Sequence, residues 1–276
     1  MITLLFAELT IRETQRRKIL WVGLLLGLAY LAVFGIGFHY IFVEMEQHAG
    51  LEERLTITGV LLTAGLYVAN LLVVLMSVLV SVTAVSGEID SHTIEAIVTK
   101  PIRRWELILG KWLGFAILIT LYILLMAGGL MLIIYLRADY VLDNIAAGLS
   151  LMMLEALLIL SVTFLGGTRL STLANGVLAF MLFGIAFLGG MIEQIGALFE
   201  NGTAVNIGII TSLIMPTQVL WNRALMLFQP QFANSAFLAG PFAVLSQPSN
   251  LMLAYAAGFT IVMLLLALFS FSRRDL

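Results

Sequence analysis

Six stretches of mostly apolar residues, at about 19–43, 57–85, 112–136, 146–168, 174–198 and 251–271, leave this chain few ways to fold. A bilayer core roughly 30 Å thick is crossed by about 20 apolar residues in a helix, and each stretch is long enough. The second has residues to spare for tilt or for extension beyond the membrane. Only 11% of the residues are charged, against roughly 25% in soluble domains, and 61% are hydrophobic, with a mean hydropathy of +1.07. The expected fold is an all-α integral membrane protein whose six transmembrane helices form one domain over residues 1–276. The net charge of −2 gives no basic attraction to nucleic acid. The absence of cysteine removes disulfides, thiolate metal sites and a cysteine nucleophile. The opening residues lack the basic-then-apolar order of a signal peptide, so the first span is expected to be retained as its own insertion signal.

An even number of spans puts both termini on one side, and positive charge selects that side. Arg12, Arg16, Arg17, Lys18, Lys100, Arg103, Arg104, Lys111, Arg169, Arg273 and Arg274 share one face, leaving Arg54, Arg137 and Arg223 for the other. That second face also carries most of the acidic loop residues, Glu193 and Glu200 among them. Both termini are therefore expected in the cytoplasm.

Two segments of the basic face have a pattern of their own. Ile2, Leu5, Phe6 and Leu9 recur at helical spacing, while Glu8–Arg12 and Glu13–Arg17 form acid-before-base pairs four residues apart. Residues 1–18 thus read as an amphipathic interfacial helix, with a plain charged anchor as the alternative. The loop at 86–111 is richer. Asp90 is placed to cap a short helix bearing Ile94, Ile97 and Val98 on one side. Pro101 ends or bends it, and a second helix runs on through Arg103, Trp105 and Lys111 into the third span. Such a capped, two-part element reads as a docking surface; an ordinary positive-inside loop is the bland alternative.

Gly87-Glu88, Thr93-Ile94-Glu95, Thr99-Lys100-Pro101 followed by Arg103, and Gly110-Lys111 before a span resemble the permease subunits of type-2 ABC exporters. The likeness extends over essentially the whole chain, although only 87–114 is specific, and more narrowly the chain looks like the branch that includes the nitrous-oxide reductase maturation permease. The resemblance implies a half-transporter in the cytoplasmic membrane of a bacterium or archaeon. It would pair with a second copy or a sibling permease and with soluble ABC ATPase subunits that bind ATP and Mg. The 88–104 region would be the coupling helix, with Glu88, Asp90, Thr93, Glu95, Thr99, Lys100 and Arg103 as its ATPase contacts. No cofactor is expected in this chain. It also lacks a P-loop: Gly110-Lys111 is followed by Trp112, with no glycine at 105, and opens into a span. The chain is thus expected to be noncatalytic.

Glu155 is the one acidic residue deep within a predicted span. Ten residues of helix place it about 15 Å from the edge, near the midplane. Facing lipid while ionised would cost several kcal/mol, so it faces protein or water, or is protonated. It is either a pathway residue or one half of a structural hydrogen bond, for example with Asn70, which lies at similar depth in the second span.

Residues 200–249 are divided by Pro216, Pro230, Pro241 and Pro248, too often to span. The run at 204–215 suits a re-entrant or interfacial helix. Residues 217–229 suit a short helix lying on the outer leaflet, with Trp221 and Arg223 at headgroup level. Asn201-Gly202-Thr203 is a glycosylation sequon only in a secretory pathway.

Two rivals to an ATP-driven permease follow from the residues. A secondary transporter would use Glu155 as a proton-coupled carboxylate, but no repeat relates the halves of the chain and no second membrane carboxylate joins it. An intramembrane hydrolase is weaker still. Ser86-Gly87 lacks the preceding pattern of rhomboid-type proteases, and His39, His48 and His92 show no metal spacing.

Overall fold

The first and second spans, Lys18–His48 and Leu51–Ser81, are each 31 residues long. At 1.5 Å per residue each is about 46 Å long, well beyond a roughly 30 Å hydrocarbon core. Only Ala49 and Gly50 join them, and Arg54 closes the turn by donating to the carbonyls of Ala49 at 2.9 Å and Glu46 at 2.6 Å. Those donations satisfy carbonyls that a helix end leaves without partners. The computed structural model describes residues 2–87, 103–140, 142, 144–228 and 244–273, and every element among them is helical.

The third span occupies Arg104–Ala138, the fourth Ile145–Gly167, the fifth Thr172–Leu198 and the sixth Asn250–Ser272. The spans agree with the apolar stretches to within a few residues at most ends, and the third begins earlier, as one continuous helix from Arg104. A π-helical turn at Leu124–Gly128 interrupts the third span. Just beyond it Gly129 lies against the first span, where an added Cβ would come within 2.9 Å of Leu31 Cδ1. The sequence shows no signal for the π turn.

Burial divides the bundle. About half of the most apolar part of the second, third and fourth spans is buried (56%, 44% and 50%), against 11%, 28% and 17% in the first, fifth and sixth. The second, third and fourth spans supply most of the centre, and the short helix Thr217–Phe228 packs against the fourth. There Phe228 lies on Gly148, whose absent Cβ would stand 2.2 Å from the Phe228 ring.

Residues 202–228 form a broken pair, Gly202–Ile214 and Thr217–Phe228, bent by 110°. Pro216 sits in the break, where a residue without an N–H is tolerated. The Asn201 side chain caps the first member by accepting from the N–H groups of Thr203 and Ala204. This helix runs back along the fifth span. A Cβ on Gly208 would approach the Gly189 carbonyl to 2.8 Å, so the two backbones touch.

The second member departs from the sequence reading. Trp221 does not rest on the leaflet: it is 1% exposed and meets Tyr67 edge to face at 5.1 Å. Gln218 Nε2 donates to Asn222 Oδ1 at 3.0 Å, and both residues are buried. Pairing the two amides within one turn of helix lowers the cost of enclosing them. Arg223 is half-buried.

Candidate functional site

Residues 82–87 continue the second span as a tight turn and lead directly into the 88–102 segment. Three elements hold this turn. Arg17, at the start of the first span, donates to Thr83 Oγ1 and is itself oriented by Glu13. Lys111, buried in the third span, donates from Nζ to the Ala84 carbonyl at 3.4 Å. A cation is favourable beside the carbonyls at a helix C-terminus. Ser86 Oγ bonds Thr172 Oγ1 at the start of the fifth span at 2.9 Å, and also donates to the Val82 carbonyl. Gly167 supplies the remaining space, since a Cβ there would stand 3.2 Å from Val85 Cβ. Ala84, Val85 and Ser86 are buried as a result.

The other end of the segment is equally firm. Arg103 is exposed and extended at the N-cap position, and the helix that follows is unbroken to Ile123. Trp112 on that helix donates from Nε1 to Ser161 Oγ of the fourth span at 3.1 Å. Of the contact residues implied by the family resemblance, Arg103 alone is described. Glu88, Asp90, Thr93, Glu95, Thr99 and Lys100 lie outside the described residues.

The N-terminal helix, Ile2–Gln15, braces the same region. It crosses the third span at Gly110 and Gly114. A Cβ on Gly110 would come within 2.6 Å of the Thr3 carbonyl and 2.5 Å of Phe6 Cβ. One on Gly114 would come within 2.8 Å of the Ala7 carbonyl. Small residues four apart let helix backbones approach this closely. The face turned inward is Phe6, Ala7, Thr10 and Thr14. The expected apolar stripe is therefore divided: Leu5 and Leu9 stay exposed with Leu4, while Phe6 packs inward. The ion pairs Glu8–Arg12 and Glu13–Arg17 are formed.

Within the bundle, Asn70 and Glu155 meet. Asn70 Nδ2 donates to Glu155 Oε1 at 3.3 Å, and both residues are buried, Glu155 at 1% exposure. Glu155 Oε2 and Asn70 Oδ1 have no hydrogen-bond partner among the described residues. Both are acceptors, so a hydrogen on Oε2 is what would complete a reciprocal acid–amide pair. The contact joins the second and fourth spans at the centre of the molecule.

A further polar group escaped the sequence reading, which placed Glu193 among the charges of the outer face. Glu193 is buried in the fifth span and accepts from Ser246 Oγ at 2.6 Å. Gln194 Oε1 accepts the N–H groups of Leu245 and Ser246 at 2.7 and 2.9 Å. Together they fix the chain just before the sixth span. A Glu-Gln pair near the end of an apolar run was the available signal, and it gave no hint of the distant backbone it holds.

The family model described as "ABC-2 family transporter protein" matches residues 6–276, nearly the whole chain. No curated protein matches it.

Proposed function

Since the chain belongs to the ABC-2 family of transporter proteins, we propose that it is the membrane subunit of an ATP-driven exporter. Its ATPase is a separate polypeptide, which docks on residues 88–104 from the cytoplasmic side, where both termini lie. ATP and Mg belong to that partner, and a second copy or a sibling permease completes the translocation path. Within the family, the chain resembles the branch that includes the nitrous-oxide reductase maturation permease.

The observation that carries this reading is the clamping of the turn at 82–87. A docking segment transmits force only if its ends cannot yield. Here one end is tied to the first, third and fifth spans through Arg17, Lys111 and Thr172, and the other is the start of one rigid helix. A push on 88–102 therefore acts on whole spans, the rigid-body mode by which packed membrane helices change state.

Co-purification in mild detergent tests it, with wild type beside Glu95→Arg and Arg103→Glu. The expected result is a soluble ATPase retained by the wild type and lost, or idle, with either variant. Normal transport by both variants without any ATPase would sink the proposal.

A further inference from the structure

The first span leans on its neighbours along only part of its length. Near the chain-terminal end it leaves a half-open cleft of about 210 Å³, lined by Lys18, Val22, Leu26, Leu72, Met76 and Leu79 among others. That is smaller than the roughly 300–1,000 Å³ of pockets that enclose a whole small molecule. A part of a molecule, a chain rather than a ring system, fits such a space.

Below its mouth the cleft is apolar. The one polar side chain at its floor, Tyr122, is occupied, because its hydroxyl donates to the Gly23 carbonyl at 3.0 Å. The mouth is cationic. Lys18 lines it, and of the three other basic residues in the preceding stretch 12–17 two are already neutralised: Arg12 by Glu8 and Arg17 by Glu13. Arg16 and Lys18 are exposed and form no ion pair among the described residues. Lys18 is both the first residue of the span and part of the cleft lining. A cation at the top of an apolar slot, at the membrane end of a helix, matches a molecule with an anionic head and a hydrocarbon tail.

We propose that this cleft binds one anionic phospholipid, with an acyl chain along Val22, Leu26, Leu72 and Leu79 and its phosphate on Lys18 and Arg16. The lipid fills the gap between the first two spans. Its headgroup sits beside Arg17, which holds the turn at Thr83, so an occupied cleft also steadies the base of the 88–102 segment. The site depends only on the spans crossing a membrane and is independent of which ATPase or cargo the protein serves.

Native mass spectrometry from detergent containing an equal mixture of phosphatidylglycerol and phosphatidylcholine reads the site directly. Wild type is expected to retain phosphatidylglycerol with a preference of about 30-fold, the combined pull of two basic residues near a membrane surface. The double variant Arg16→Glu/Lys18→Glu is expected to lose the preference. Val22→Trp, which fills the slot and leaves both charges, is expected to lose the retained lipid. Leu26→Phe serves the same purpose should Val22→Trp fail to elute as a single species with wild-type helicity. Equal retention of the two lipids by wild type, or an unchanged preference in the charge-reversed variant, would overturn the proposal. So would disulfide formation between two copies bearing Leu26→Cys in native membranes, since a second copy would then occupy the cleft.

Discussion

Ionised and facing hydrocarbon, a carboxylate near the bilayer midplane costs several kcal/mol. Glu155 is enclosed by protein beside Asn70, and that removes the lipid-facing case. The geometry makes a specific demand. One carboxylate oxygen has a donor, while the other, and the amide oxygen of Asn70, have none among the described residues. Glutamine at 155 would meet that demand with its own amide: the oxygen accepts from Asn70 Nδ2 and the nitrogen donates to Asn70 Oδ1. Glu155→Gln is therefore expected to keep wild-type thermal stability in detergent. Glu155→Leu should cost about 1–3 kcal/mol, because Asn70 is left buried with neither group paired. Equal stability of the two variants would show that the contact contributes nothing. The same Gln variant separates the functional readings, since loss of proton-driven uptake by the lone chain would favour the secondary carrier.

At the scale of elements, the N-terminal helix is a brace set into the third span by two absent side chains. The atoms a Cβ would meet at Gly110 and Gly114 include the carbonyls of Thr3 and Ala7, and backbone cannot rotate aside as a flexible side chain can. Thr10 lies beneath the helix, 5% exposed, and is part of the Gly114 contact, where a Cβ would stand 2.8 Å from the Thr10 Cβ. The chain has no cysteine, so Thr10→Cys introduces the only thiol. That thiol is expected to resist a water-soluble maleimide when Gly114 is intact and to react readily in the Gly114→Leu background. Equal labelling in both would mean that the helix does not depend on this crossing. Overpacking of this kind typically costs about 1–3 kcal/mol, small enough for the six spans to remain assembled and large enough to lift one short helix.

Across the whole molecule, stability is concentrated in the second, third and fourth spans and the Thr217–Phe228 helix packed against the fourth. The first, fifth and sixth spans present much of their surface outward. Two tryptophans measure the contrast. Trp221 is 1% exposed, and Trp21 is 57% exposed on the first span. Trp221→Ala is expected to cost about 3–5 kcal/mol and to lower the temperature at which the purified protein aggregates. Trp21→Ala should leave that temperature within a degree or two of wild type. Comparable losses would show that the interior built around Trp221 is not what holds the bundle together.

The number and extent of the spans were legible because a run of twenty apolar residues has one stable arrangement in a bilayer. The ion pairs of the first helix were legible because they are four residues apart on one helix. The sequence could not say which side of each span turns inward, since an apolar face looks the same whether it meets protein or lipid. Hence Phe6 left the stripe it was assigned to, and the short helix at 217–228 was read as surface when its amides bond each other and its indole is enclosed. The likeness of 87–114 to a family motif pointed to coupling, and the family match agrees with a transporter subunit. That Arg17, Lys111 and Thr172 converge on the single turn that holds Thr83, Ala84 and Ser86, and that Asn70 reaches Glu155 from 85 residues away, depended on tertiary packing. Contacts between distant residues are chosen by the fit of whole helices, which no local pattern records.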